Sequence, residues 1–226
     1  MIARAFEFVR RHPWSLSLSG LSALSFVRLA LELHEGELGA FDAAVTLWFI
    51  ELRGTFDAVM LALTHSGGAL GMTLLCVASV LLLVRAGAGR QARFVASCGI
   101  GAFFLSSGLK LLFARARPDP SALYLIEVPG SFSFPSGHAL GSTVVVGALT
   151  VVAFTLLRSA RWRALVVAAA LAYVVGVAAS RVYFGVHFPT DVVGGMLAGS
   201  AWVAAVTGWF YPRLLPGESS GEAVPG

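Results

Sequence analysis

The chain predicts an all-α fold: a polytopic membrane helical bundle of about six transmembrane helices, with amphipathic helices in the interface. Three observations predict it. Hydrophobic residues make up 57% of the sequence and charged residues 12%, which leaves too little polar surface to solvate a globule. Apolar runs at Leu16 to Leu33, Ala69 to Val84, Phe94 to Phe113, Ala139 to Leu157, Ala164 to Ala179 and Val192 to Tyr211 approach or reach the ~20 residues that cross a hydrocarbon core. Arginines cluster in alternate loops between those runs, as membrane topology requires.

Arg4, Arg10 and Arg11 precede the first run. A charged start followed by an apolar stretch has the outline of a signal peptide. The run is long for that, however, and no small-residue cleavage site closes it before Glu35-Gly36-Glu37, so it predicts an uncleaved anchor. Between the first and second runs, Phe41, Val45, Trp48, Phe49, Leu52, Phe56, Val59, Met60 and Leu63 recur at helical spacing among Asp42, Glu51, Arg53 and Asp57. This pattern predicts amphipathic helices lying in the outer interface. They fit either a lateral gate for a lipid or simple interfacial packing, and packing is preferred.

Arg85, Arg90 and Arg93 separate the second run from the third, Arg158, Arg161 and Arg163 separate the fourth from the fifth, and Arg213 follows the last. The positive-inside rule makes these loops cytoplasmic, together with both termini. The remaining loops carry Glu35, Glu37, Asp42, Asp57, Asp119 and Glu127 and fall outside. Cys76 and Cys98 lie within apolar runs without metal-like spacing, and are read as small buried hydrophobes. Residues 1–215 read as one membrane-embedded domain, and the Gly-, Ser-, Pro- and Glu-containing tail 216–226 as a disordered end. Arg-over-Lys usage, abundant Ala and compact loops suggest a bacterial inner membrane.

Three polar islands interrupt this apolar chain at the outer ends of its runs. In the first, Lys110, the only lysine, is followed after six residues by Arg117-Pro118. A cation at membrane depth is costly and is read as functional. Seven residues is about two helical turns, so both heads can lie along one helix face if the helix continues, ending at Pro118 and Pro120. Arg117 offers a planar fork and Lys110 a compact charge to phosphate oxygens. Arg115, two residues from Arg117, is then expected to face elsewhere and snorkel.

The second island, Pro135-Ser136-Gly137-His138, opens the fourth run. Unsatisfied N–H groups at a helix start, a hydroxyl and a glycine that permits close approach can receive an anion. Taken alone, His138 fits an interfacial residue equally well; beside the other islands it fits a proton donor. Gly137 and Gly141 also have the spacing of close helix packing. In the third island Arg181 supplies another cation, and His187 stands four residues before Asp191. A carboxylate on one imidazole nitrogen fixes the tautomer and leaves the other free to attack phosphorus.

These three islands resemble the three-part signature of the phosphatidic acid phosphatase type 2 superfamily, which includes membrane lipid phosphatases and vanadium-dependent haloperoxidases. The match runs from Lys110 to Asp191 with every motif position present. The resemblance implies His187 as a nucleophile forming a phosphohistidine, Asp191 as its orienting partner and His138 as general acid. It implies Lys110, Arg117, Ser136, Gly137 and Arg181 as phosphate ligands.

No cofactor is expected. Only Asp191 among the acidic residues lies inside a motif, so no carboxylate cluster is expected to hold a metal. Catalysis then rests on positioning, cationic stabilisation and covalent relay. The expected activity is metal-independent hydrolysis of a terminal phosphate from an outer-leaflet lipid, with polyprenyl (undecaprenyl) pyrophosphate or phosphatidylglycerol phosphate favoured and phosphatidic acid also plausible. The rivals are a haloperoxidase-like enzyme holding vanadate, and a non-enzymatic lipid-phosphate binder or transporter. The expected partners are the lipid phosphate substrate and membrane lipids, with no nucleic acid; the sequence assigns no oligomeric state.

Overall fold

A computed structural model describes residues 13–118 and 130–214. Arg4, Arg10, Arg11, Asp119, Pro120, Glu127 and the tail 216–226 lie outside the described residues. Within them the chain forms eight helices and no strand: α1 (Pro13–His34), α2 (Gly39–Glu51), α3 (Asp57–Ser66), α4 (Ala69–Arg85), α5 (Gly89–Phe113), α6 (Gly137–Leu156), α7 (Ala160–Tyr183) and α8 (Pro189–Leu214).

Five of these, α1, α5, α6, α7 and α8, are long and apolar enough to cross a membrane. Helix α4 has 17 residues, about 25 Å of helix, which falls short of a ~30 Å core. It follows α3 across a 54° bend at Gly67-Gly68, and by length and composition only the two together, not α4 alone as the run Ala69 to Val84 predicts, match a span. A broken helix is tolerated at membrane depth where the freed backbone lines a protein cavity, and Gly67 and Gly68 do line one.

Helix α8 packs along α6 and α1 and also meets α5. Its contact with α6 is glycine-mediated. A Cβ on Gly195 would stand 2.6 Å from the Ser136 carbonyl oxygen, and one on Gly199 3.0 Å from the Leu140 oxygen. Close packing therefore runs along Gly195 and Gly199, a small-xxx-small seam. The Gly137–Gly141 spacing does not serve this purpose, because Gly141 meets nothing within 4 Å and both glycines border a cavity.

Phe134 plugs the core at the Gly194 end of this seam. It is 1% exposed, stacks on Phe26 at 5.6 Å and meets Phe113 edge-on at 5.0 Å. Its ring also fills the space that a Cβ on Gly194 would take. Burying this ring anchors the segment 130–136 between α1, α5 and α8, which is what brings the second island onto the third.

Helices α2 and α3 turn polar side chains inward and apolar ones outward. Asp42 and Thr46 on α2 and Thr64 on α3 are buried, whereas Phe41, Leu47, Trp48 and Val59 are exposed. In lipid surroundings apolar side chains lose nothing by facing outward, and a polar group finds partners only inside the protein. Asp42 accordingly bonds across to α8.

Candidate active site

Lys110 and Arg181 occupy the last turns of α5 and α7, and His138 and Asp191 the first turns of α6 and α8, so all four stand at one end of the bundle. His187 lies in the turn between α7 and α8. Pro189 opens α8, where its missing N–H costs nothing, so Asp191 falls in the first turn. The Asp191 N–H and the Phe188 carbonyl close that turn at 3.0 Å.

His187 Nδ1 faces Asp191 Oδ2 at 3.3 Å. The same oxygen accepts the Phe188 N–H at 2.9 Å and a hydrogen bond from Ser133 Oγ. A carboxylate acceptor on Nδ1 favours the tautomer protonated there and leaves the Nε2 lone pair available. Nε2 lies 3.2 Å from Arg117 Nη1. Burial pushes the His187 imidazole down to about 4; Asp191 opposes this shift, while the charges of Arg117 and Arg181 add to it. The ring is therefore neutral near pH 7, the state in which Nε2 has its lone pair.

The first island reaches the site by a different route from that expected. Helix α5 stops at Phe113, because Ala114 adopts a left-handed conformation (φ 44°) and caps the helix with an N–H bond to the Lys110 oxygen at 2.9 Å. Arg117 thus lies beyond the helix, and the stop precedes Pro118. Arg117 donates to the Ser131 oxygen at 2.8 Å and the Val186 oxygen at 2.6 Å, while Lys110 donates to the Phe132 oxygen. Both cations converge on the 131–132 segment and border one cavity with Gly137, His138 and His187.

Arg115 does not snorkel. With the helix ended at Phe113, its guanidinium turns inward to Asp191 Oδ1 at 2.6 Å and Asp42 Oδ2 at 2.7 Å, over the Phe188 ring at 4.3 Å. Asp42 in turn accepts the Thr190 N–H at 3.0 Å and its hydroxyl at 2.7 Å. Asp42, Arg115, Ser133 and Thr190 were absent from the sequence reading of the site. The one available signal is an acidic residue, Asp42, in the first turn of a mainly apolar helix.

Arg181 is 2% exposed. It donates from Nη1 to Thr64 Oγ1 on α3, and its Nε has no hydrogen-bond partner. Ser136 is also fully buried with an unpartnered hydroxyl. Its N–H donates to the backbone carbonyl oxygen of Asp191 at 2.9 Å, tying the start of α6 to α8. His138 lies against the break between α3 and α4, where a Cβ on Gly68 would stand 3.3 Å from Nε2. Gly137 meets Lys110 similarly, with its Cβ position 3.7 Å from Cε.

The cavity has a volume of about 820 Å³ and extends from these polar groups down a mainly apolar cleft between α4, α5 and α6, past Met72, Cys76, Val80, Ile100 and Phe103. Cys98 is buried in the core and Cys76 borders this cleft. Among the described residues, no group of three or more His, Cys, Asp or Glu side chains is placed to hold a metal ion.

Residues 91–214 match the PAP2 superfamily. Phosphatidylglycerophosphatase B of Bacillus subtilis (strain 168) is 30% identical over 183 residues, spanning 78% of this chain and 86% of that protein. An undecaprenyl-diphosphatase of Sulfolobus acidocaldarius is 40% identical over 108 residues, 46% of this chain and 47% of that one. A lipid A 1-phosphatase of Rhizobium johnstonii is 34% identical over 147 residues, covering 58% and 55% respectively. The crystal structure of a transmembrane PAP2-type phosphatidylglycerolphosphate phosphatase from Bacillus subtilis superposes with a TM-score of 0.76 at 27% identity, over 86% of this chain and 96% of that one.

Proposed function

The chain belongs to the PAP2 superfamily and is an integral membrane phosphoric ester hydrolase, and we propose that it removes the terminal phosphate of a membrane lipid through a phosphohistidine on His187, without a metal. The observation that carries this reading is the two-sided setting of His187: Nδ1 on Asp191 and Nε2 beside Arg117 at the head of the cavity.

Lys110, Arg117 and Arg181 bind the phosphoryl oxygens, with the hydroxyl of Ser136 and the open backbone at Gly137 completing the anion cradle. Nε2 of His187 attacks phosphorus as the bond to the lipid oxygen breaks, and His138 gives its proton to that departing oxygen. Asp191 stabilises the positive charge that His187 acquires. Water then attacks the phosphohistidine, His138 takes a proton from it, and inorganic phosphate leaves with His187 restored. The cations are fixed before substrate arrives, so little reorganisation is needed as charge develops.

The apolar cleft below the phosphate site supports a lipid substrate. Polyprenyl (undecaprenyl) diphosphate and phosphatidylglycerol phosphate are the foremost candidates, a choice supported by the activities for which the relatives are named. The test is phosphate release by the purified protein from these two lipids, from phosphatidic acid and from a water-soluble phosphate ester. Lipid substrates are expected to turn over with activity retained after exhaustive EDTA treatment, and vanadate is expected to inhibit by imitating the transferring phosphoryl group. Activity lost to EDTA and restored by Mg²⁺ would overturn the metal-free mechanism.

We further propose that both termini are cytoplasmic in a bacterial inner membrane and that the site faces the exterior. Helix α4 ends on Arg85 and the start of α5 carries Arg90 and Arg93, whereas Lys110 sits at the other end of α5. Lys110 lies seventeen positions after Arg93 on the same helix, about 26 Å at the helical rise. Positive loops favour the cytoplasmic side, which sends the site outward. In a background lacking Cys76 and Cys98, Gly130→Cys is expected to react with a membrane-impermeant thiol reagent on intact cells and Ser159→Cys is not. The reverse labelling pattern would place the site in the cytoplasm.

A further inference from the structure

Asp191 is fully buried, and a buried carboxylate is stable only when its charge and lone pairs are matched. One side of it is explained by the reaction: Oδ2 receives His187, Ser133 and the Phe188 N–H. The other oxygen, Oδ1, faces away from the imidazole and receives Arg115 at 2.6 Å. Arg115 lies within the first island but is not one of its motif positions.

Arg115 is itself held on every side. Nη2 bonds Asp42 Oδ2 at 2.7 Å and Nη1 bonds Thr190 Oγ1 at 2.8 Å. Its guanidinium lies over the Phe188 ring. Asp42 closes the circuit by taking the N–H and the hydroxyl of Thr190, the residue before Asp191. Three segments far apart in sequence, α2, the stretch just after α5 and the start of α8, meet in one part-buried ring of charge-assisted bonds, which are shorter and stronger than neutral ones.

With Asp42 and Asp191 ionised, the ring carries two negative charges and one positive. It therefore retains one negative charge to balance the cation that forms on His187 as it becomes phosphorylated. Without Asp42, Arg115 neutralises Asp191 one for one and loses its second anchor. Without Arg115, two carboxylates face each other with no cation between them.

Resting on the phosphohistidine reading above, we infer that Asp42 and Arg115 are positioning residues for the nucleophile, acting through Asp191 to hold the orientation and tautomer of His187. Helix α2 is thereby part of the catalytic framework. The hydrogen bonds of Asp42 to Thr190 and its ion pair with Arg115 tie α2 to the start of α8 and the end of α5, which supports packing over a lateral gate for α2.

The test compares Asp42→Asn, Arg115→Gln, Arg115→Lys, the Asp42→Asn/Arg115→Gln double variant and His187→Ala with wild type, as purified full-length chains acting on a diphosphate lipid. Turnover is expressed per active site, counted by single-turnover phosphohistidine trapping. Asp42→Asn and Arg115→Gln are expected to lower kcat by about 10- to 100-fold, the usual effect of removing a partner that orients a catalytic ligand, with KM within about threefold. Arg115→Lys keeps the charge but not the fork, and is expected to recover part of the loss. Residues acting through one network are non-additive, so the double variant is expected to fall no more than about threefold below the weaker single one. Inhibition by inorganic phosphate, which depends on the cations, is expected to be unchanged.

A purely structural role predicts a lower melting temperature and fewer active sites, with wild-type kcat at each remaining site; that result overturns the inference. A loss confined to KM, or a fully additive double variant, also overturns it. If Arg115→Gln does not fold, the near-isosteric Asp42→Asn decides. Activity in His187→Ala would refute the nucleophile assignment, whereas an inactive His187→Ala beside wild-type turnover in Asp42→Asn and Arg115→Gln would refute the positioning role alone.

Discussion

His187→Ala is expected to lose turnover on every lipid phosphate by about 10⁴-fold or more, the scale seen when a covalent nucleophile is removed and only binding and electrostatic stabilisation remain. Neither Asp191 nor the surrounding cations can substitute, because none presents a lone pair at the position of Nε2, 3.2 Å from Arg117. Acid-labile phosphate trapped on the wild-type chain is expected to be absent from the variant. The same residue sets the acid limb of the wild-type profile. Burial holds the His187 pKa at about 4, below the ordinary histidine value of about 6.5. A depressed pKa means that the neutral, attacking form persists as pH falls, and is lost only on passing through about 4. The kcat/KM of the free enzyme is therefore expected to show its His187 limb near pH 4, after correction for the substrate's own ionisation. A limb near 6.5, or near-native activity in His187→Ala with the fold intact, is incompatible with the mechanism.

The second large effect is expected from His138→Ala, and it should depend on the leaving group. For a lipid alcohol, which departs poorly without a proton, loss of the general acid is expected to slow turnover by about 10²- to 10⁴-fold. For an aryl phosphate, whose oxygen leaves readily as an anion, formation of the phosphohistidine should be affected much less. Its hydrolysis still needs a base for water, so the phosphoenzyme is expected to accumulate. Quenched-flow trapping with both substrates separates the two steps. Equal slowing with both leaving groups and no accumulation would show that His138 acts only on binding, and the proton donor would then have to be sought elsewhere around the cavity.

The membrane class and five of the six spans are legible in the one-dimensional pattern because each depends on local properties, whereas the run Ala69 to Val84 passes as a span only together with α3. A run of apolar residues has a length whatever it packs against. A proline and an aspartate two residues apart at the start of such a run mark where α8 begins. The His187–Asp191 pairing has the same origin, since both residues belong to one turn and its helix start.

The supporting shell was not legible for the opposite reason: its members lie far apart in sequence and their roles depend on which way each side chain faces. Asp42 reads as a solvated charge on an amphipathic helix until α2 is seen to turn its polar line inward. Arg115 reads as a snorkelling residue as long as α5 is extended to Pro118, and its inward turn follows only once Ala114 ends the helix. The packing glycines show the same division, because Gly137–Gly141 and Gly195–Gly199 have identical spacing and only the second pair meets another helix closely. Hydropathy and motif spacing by themselves determined that this protein is a membrane bundle with phosphate chemistry at one end. Tertiary structure decided what holds that chemistry in place, because a buried charge is defined by its partners and those partners are brought together only by the fold.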